Sequence, residues 1–180
     1  MGKLFVISGS SGVGKGTVIK EFLKKNSEFK LSVSCTTRTP REGEIHGQNY
    51  FFLSKEEFLT CIEKGEFLEW AEFSGNMYGT QRPYIDEKLA EGKSLILEID
   101  TKGALNVKKI MPEAVLIFIL PPSFEELERR LRGRHTETED AIQKRLNSTK
   151  LELENSKFFD YQIVNDSVDN AVKKLELIMK

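Results

Sequence analysis

Cysteine is scarce. The 180 residues hold two, Cys35 and Cys61. Neither has a C-x-x-C or Cys/His spacing around it, so a disulfide framework or a structural zinc site does not fit, and a reducing cytoplasmic compartment is the expectation. Histidine is as rare. His46 and His135 have no partner constellation and read as surface loop residues. Neither sign of charge is in excess, with 27 basic side chains against 28 acidic ones. A global nucleic-acid binder would be more basic, so no nucleic-acid partner is expected and any basic chemistry should be local. Long apolar runs are also missing. The longest, residues 114–120, is far too short to span a bilayer and is followed by Pro121 and Pro122, so no membrane partner is expected. Met1-Gly2 opens the sequence, but Val6 stands where a myristoylation signal needs Ser or Thr. No secretory pattern precedes the first strand, which points to an intracellular protein.

What is present is an alternation of strand and helix signals. Residues 4–7, 95–99 and 115–120 are short apolar runs that read as buried strands, and Ile163 with Val164 marks a last one. Phe29, Leu31 and Val33 alternate with polar residues. Helical spacing links Val18, Ile19, Phe22 and Leu23, and again Val168, Ala171, Val172, Leu175 and Ile178. Ser123 with Glu126 has the pattern of a capping box. This rhythm predicts an α/β fold, a parallel core sheet covered by helices on both faces. Two stretches interrupt it. Residues 38–83 carry turns, aromatic strand-like pieces and one short helix capped by Ser54 and Glu57, and read as an inserted α+β lobe. Residues 129–145 are arginine-rich around a polar centre and read as a helical flap.

The sharpest local feature is Gly9-Ser10-Ser11-Gly12-Val13-Gly14-Lys15-Gly16-Thr17, set between a strand and a helix. It fits the P-loop pattern, whose glycines let backbone N–H groups wrap around phosphate oxygens at a helix N-terminus. Lys15 adds a full positive charge for the β- and γ-phosphates. The loop departs from the pattern at Gly16, where Ser or Thr usually serves as a magnesium ligand. Thr17 follows one place later, as a phosphate contact or an uncertain metal ligand.

Farther along stand Ser32-Val33-Ser34-Cys35-Thr36-Thr37-Arg38-Thr39-Pro40-Arg41-Glu42-Gly43-Glu44, then Gly47, Tyr50, Glu69, Tyr78-Gly79-Thr80 and Glu98-Ile99-Asp100. Arg38 and Arg41 flank Pro40 past a strand end, where two planar guanidiniums suit a dianionic phosphate. Tyr50 and Tyr78 can add hydroxyl donors. Glu69 adds a carboxylate, and Ser34 and Thr80 add hydroxyls. Glu98 and Asp100, two apart at the end of an apolar strand, should share one face at the ligand edge of the sheet. Trp70 reads as packing within the lobe, and Cys35 as a small apolar filler.

Over essentially its whole length this set resembles the guanylate kinases, of the nucleoside monophosphate kinase group. The resemblance implies a three-layer α/β/α P-loop fold, with the core in residues 1–33, 84–125 and 146–180, a GMP-binding lobe in 34–83 and a lid in 126–145. It implies transfer of the ATP γ-phosphoryl group to GMP, with Mg²⁺ as cofactor and ATP as co-substrate. By the same resemblance Ser34, Arg38, Arg41, Tyr50, Glu69, Tyr78, Gly79, Thr80 and Asp100 hold GMP; the Glu69 carboxylate matches the N1–H and N2 amino donors of guanine, with Ser34 and Thr80 for O6 or N7, and adenine would leave these groups mismatched. Glu98 stands on the magnesium side, through water, and Arg130, Arg134 and Arg145 line the lid. Lys15, Arg38, Arg134 and Arg145 would carry catalysis, and Asn165 would border the adenine with Asp166. Arg129 and Arg132 read as a solvated helix face. Two rivals share the fold: a non-catalytic interaction module, and a kinase for another monophosphate. Monomer and homo-oligomer are both compatible with the sequence.

Overall fold

Leu4–Gly9 form strand β1, and all six residues are buried. A strand flanked by neighbours on both edges and covered on both faces has to be apolar throughout. In this computed structural model the described residues are 2–73, 75–133 and 139–180, and of the side chains at 130, 131, 141 and 145 nothing is described. The P-loop follows β1, and α1 (Lys15–Lys25) leaves it. Then come β2 (Phe29–Leu31), β3 (Cys35–Thr36), β4 (Phe51–Phe52), α2 (Lys55–Glu63), β5 (Phe67–Phe73) and β6 (Asn76–Gln81). The chain continues through α3 (Arg82–Ala90), β7 (Ser94–Glu98), α4 (Thr101–Ile110), β8 (Val115–Leu120), α5 (Phe124–Arg132) and α6 (Glu139–Asn155). It ends with β9 (Tyr161–Val164) and α7 (Val168–Ile178).

The core sheet runs β2-β7-β1-β8-β9, and every pairing in it is parallel. Side chains of β1 alternate between its faces. Phe5 and Ile7 pack with Val18, Ile19 and Phe22 of α1 and with Val172 and Leu175 of α7. Leu4 and Val6 pack with Ile85 and Leu89 of α3 and Val107 of α4. The α/β reading therefore holds, down to the parallel sheet with helices on both sides.

A second, mixed sheet runs β4-β3-β6-β5. Its own core is small: Cys35, Phe58 and Phe67, with the rings of Phe58 and Phe67 4.4 Å apart. The capping box at α2 is complete, Ser54 accepting from the Glu57 N–H and Glu57 reaching back to the Ser54 N–H. Cys35 is the buried filler expected, and burial pushes its thiol up to about 12. Trp70 is a correction: it is not packed within the lobe but 48% exposed. The β5–β6 register shifts between Phe67 and Glu69. Phe67 enters the small core and Leu68 the main one, as neighbours on a strand point to opposite faces. Bulges re-aim the side chains that follow them, and here Trp70 is left facing solvent.

Candidate active site

The loop after β1 is shaped by its backbone. Gly12 and Gly14 have φ of 86° and 91°, a left-handed conformation that costs glycine little and other residues more. Gly14 caps α1, so the loop's N–H groups and the helix's positive end address the same region. The Lys15 ammonium donates to the Gly9 carbonyl at 2.8 Å. Burial holds its pKa below the usual lysine value, while Glu98, Glu152 and Asp100 oppose the shift. Burial pushes the Glu152 carboxyl, on α6, upward, while the Lys15 charge and the nearby Ser11 N–H oppose the shift. Glu152 belongs to the phosphate-loop surroundings and was not singled out in the sequence, where it is one of many acids on a charged helix.

Asn165, just past β9, is 4% exposed, and its amide donates to the Val13 carbonyl at 2.7 Å. It therefore braces the loop. It also lines a cavity of about 350 Å³ with Gly12, Gly14, Thr17 and Asp166, the place expected to border adenine. Thr17 faces this cavity. The residue against Glu98 is Gly16 instead: a β-carbon there would stand 3.8 and 4.0 Å from the two Glu98 oxygens.

Between the two sheets lies a cleft of about 300 Å³ lined by Ser34, Tyr50, Glu69, Tyr78, Gly79, Glu98 and Asp100. The structure thus gathers residues that the sequence scatters over 66 positions. Glu69 comes from β5 and accepts from the Thr80 hydroxyl at 2.7 Å. Thr80 is fully buried, and its proton serves Glu69, not O6 or N7 of a base. Gly79 is glycine for want of room: a β-carbon would lie 3.0–3.1 Å from Phe67, Phe58 and the Glu69 carbonyl. Asp100 does not share a strand face with Glu98, as their spacing predicted. β7 ends at Glu98, and Asp100 caps α4 by accepting from the Gly103 N–H at 2.7 Å.

Arg38 is largely covered and forks onto Glu44, at 3.0 and 2.9 Å. Its guanidinium carbon lies 5.5 Å from the Tyr50 ring centre, and Tyr78 stands close enough to add to the rise in its pKa. The Glu44 pairing raises the Arg38 pKa and lowers that of Glu44. Glu44 also accepts from the Arg41 N–H at 2.7 Å. Glu44 was quoted only as the end of a motif; the turn that brings it back onto Arg38 has no signature in the sequence. Arg41 is exposed. His46 does have a partner: its Nδ1 accepts from the Phe52 N–H at 3.2 Å.

Arg134 and His135 lie outside the described residues, as do the side chains of Arg130 and Arg145. Arg129 and Arg132 behave as a solvated face should, paired with Glu126 and with Glu128 and Glu139.

A family model described as guanylate kinase matches residues 1–180. A guanylate kinase of Prochlorococcus marinus is 54% identical, over 98% of this chain and 96% of its own length. One of Clostridioides difficile is 52% identical, over 99% and 87%. A solved guanylate kinase of Anaplasma phagocytophilum superposes with a TM-score of 0.75 at 34% identity, over 99% of this chain and 84% of that one. A shikimate kinase of Bacteroides thetaiotaomicron, with a TM-score of 0.56 at 14% identity, shares the fold alone. With a phosphate loop, a carboxylate-lined cleft beside it and this degree of likeness along its whole length, the chain belongs to the guanylate kinase family.

Proposed function

We propose that the chain transfers the γ-phosphoryl group of ATP to GMP, giving ADP and GDP. A phosphate oxygen of GMP attacks the γ-phosphorus in line, and the bond to the β–γ bridging oxygen breaks as ADP leaves. The observation that carries this reading is the half-buried Glu69 carboxylate, held by Thr80 in a cleft shared with Asp100 and Glu98. A carboxylate so placed accepts from both N1–H and the N2 amino group of guanine, a pairing adenine cannot supply.

The division of labour follows the two sheets. Residues 9–17 take the triphosphate, with Asn165 and Thr17 beside its base. Residues 34–83 take GMP. Arg38, Arg41, Tyr50 and Tyr78 meet the GMP phosphate, and Ser34, Glu69, Gly79, Thr80 and Asp100 surround the base. Phosphoryl transfer asks little covalent chemistry of the protein; positioning and charge neutralisation accelerate it. Lys15 neutralises the transferring group, and Arg38, already aimed by Glu44, holds the attacking phosphate. Arg130, Arg134 and Arg145 complete the set on grounds of family resemblance. The same resemblance supports a lid in residues 126–145 and a cytoplasmic setting.

Among the described residues no group of three or more His, Cys, Asp or Glu could hold a metal ion by itself. Mg²⁺ keeps several waters and binds through one or two carboxylates plus substrate phosphates. Glu98 is the carboxylate on hand, facing the loop across Gly16, which has no hydroxyl to offer. When bound, Mg²⁺ would neutralise charge on the triphosphate. Among the described residues no helix is long and apolar enough to cross a membrane.

The test is ADP formation from ATP and Mg²⁺ with a panel of monophosphates. GMP should be the fastest acceptor. Faster turnover of AMP or UMP would refute the acceptor assignment, and no turnover with any of them would favour the non-catalytic module.

A further inference from the structure

Gly103 is buried in the first turn of α4, where the helix packs against β5. Its φ is not positive, and it stands inside a helix. Nothing in its backbone conformation asks for glycine, which apart from proline is the least favourable residue in a helix interior, alanine being the most favourable. What asks for glycine is the neighbour. A β-carbon at 103 would lie 3.0 Å from Glu69 Oε2, 3.3 Å from Ile99 Cδ1 and 3.4 Å from Asp100 Oδ1. The Gly103 N–H also donates to that same Asp100 oxygen at 2.7 Å. One residue thus touches both carboxylates of the guanine end, aiming one by a hydrogen bond and leaving room for the other.

Glu69 cannot simply swing aside. Its other oxygen is tied to the buried Thr80 hydroxyl at 2.7 Å, and Glu69 and Gly103 both line a second cavity, of about 440 Å³, with Trp70, Lys102 and Asn106. A carboxylate displaced by a β-carbon at 103 would leave its pairing geometry. The helix would still form, because alanine suits it better than glycine does.

We infer that Gly103 is a positioning residue for base recognition: its missing side chain sets where the Glu69 carboxylate meets the 2-amino edge of guanine. The inference rests on the reading that Glu69 binds guanine. It is tested by comparing Gly103→Ala and Glu69→Gln with the parent protein. The acceptors are GMP and inosine monophosphate, which lacks the 2-amino group. Their ratio of kcat/KM does not depend on how much protein is folded. Gly103→Ala should raise the KM for GMP by about tenfold, the scale of one disturbed charge-assisted bond. The GMP preference should fall towards that of Glu69→Gln, while the KM for ATP and the thermal midpoint do not suffer. If Glu69→Gln loses the preference and Gly103→Ala keeps it, the inference is overturned and the reading of Glu69 stands. If Glu69→Gln keeps the preference, the reading itself fails and the inference with it. A lowered midpoint with an intact preference would make Gly103 a folding residue only.

Discussion

The carboxyl of Glu69 is held above the usual carboxylate range because burial strips water from it; the Thr80 hydroxyl opposes this and the negative charge of Asp100 adds to it. The sign of the consequences follows. Between the ordinary carboxylate pKa and the raised one, the folded chain holds a proton that the unfolded chain releases. Stability from this group therefore falls as pH rises through that window. GMP should act the other way, since its donors need the ionised form. GMP affinity should fall as pH drops through the raised pKa. Glu69→Gln should weaken GMP by about 1–3 kcal/mol at neutral pH and remove that component of the pH profile. The phosphate of GMP titrates alike in both proteins, so calorimetry of the two across acidic pH isolates the Glu69 term. Identical profiles would remove Glu69 from the base site. At this scale the sequence told residue types well and partners poorly. Glu69 was legible as a match to guanine's donors. Its bond to Thr80 needs the shifted β5–β6 register, the Glu44 grip on Arg38 needs a turn with no sequence signature, and the Gly103 contact joins α4 to β5, so none of the three was legible.

At the scale of elements, β1, its glycine loop and α1 were readable because one stretch of sequence carries all three signals: an apolar run, glycines that tolerate positive φ, and helical spacing. The brace on that loop was not. Asn165 sits 152 residues from Val13, whose carbonyl its amide holds, and only the parallel placement of β9 at the sheet edge brings them together. Replacing Asn165 with Ala leaves a buried carbonyl without that donor. We expect a stability loss of about 1–3 kcal/mol in denaturant unfolding, with weaker ATP binding and little change for GMP. Equal weakening of both nucleotides would argue against a role confined to the loop. The β5 bulge was equally hidden. Strict alternation through residues 67–73 buries Trp70 or Glu69 but cannot foresee an extra residue at Leu68.

Over the whole molecule, one parallel sheet offers the phosphate loop and one mixed sheet offers the carboxylate cleft, and Glu98 stands where they meet, lining the cleft and facing Gly16 of the loop. The layered α/β architecture was legible from alternating strand and helix signals, and the second sheet was legible only as an interruption. Two neighbouring sites with a shared border are what direct transfer between two nucleotides requires, since the reacting atoms must be held together without passing through a covalent enzyme intermediate. The most direct test is calorimetric titration of Lys15→Ala with each nucleotide, beside its turnover. Turnover should vanish, ATP binding should weaken and GMP affinity should stay near that of the parent. A loss of GMP affinity equal to the loss for ATP would contradict the account of two separate sites.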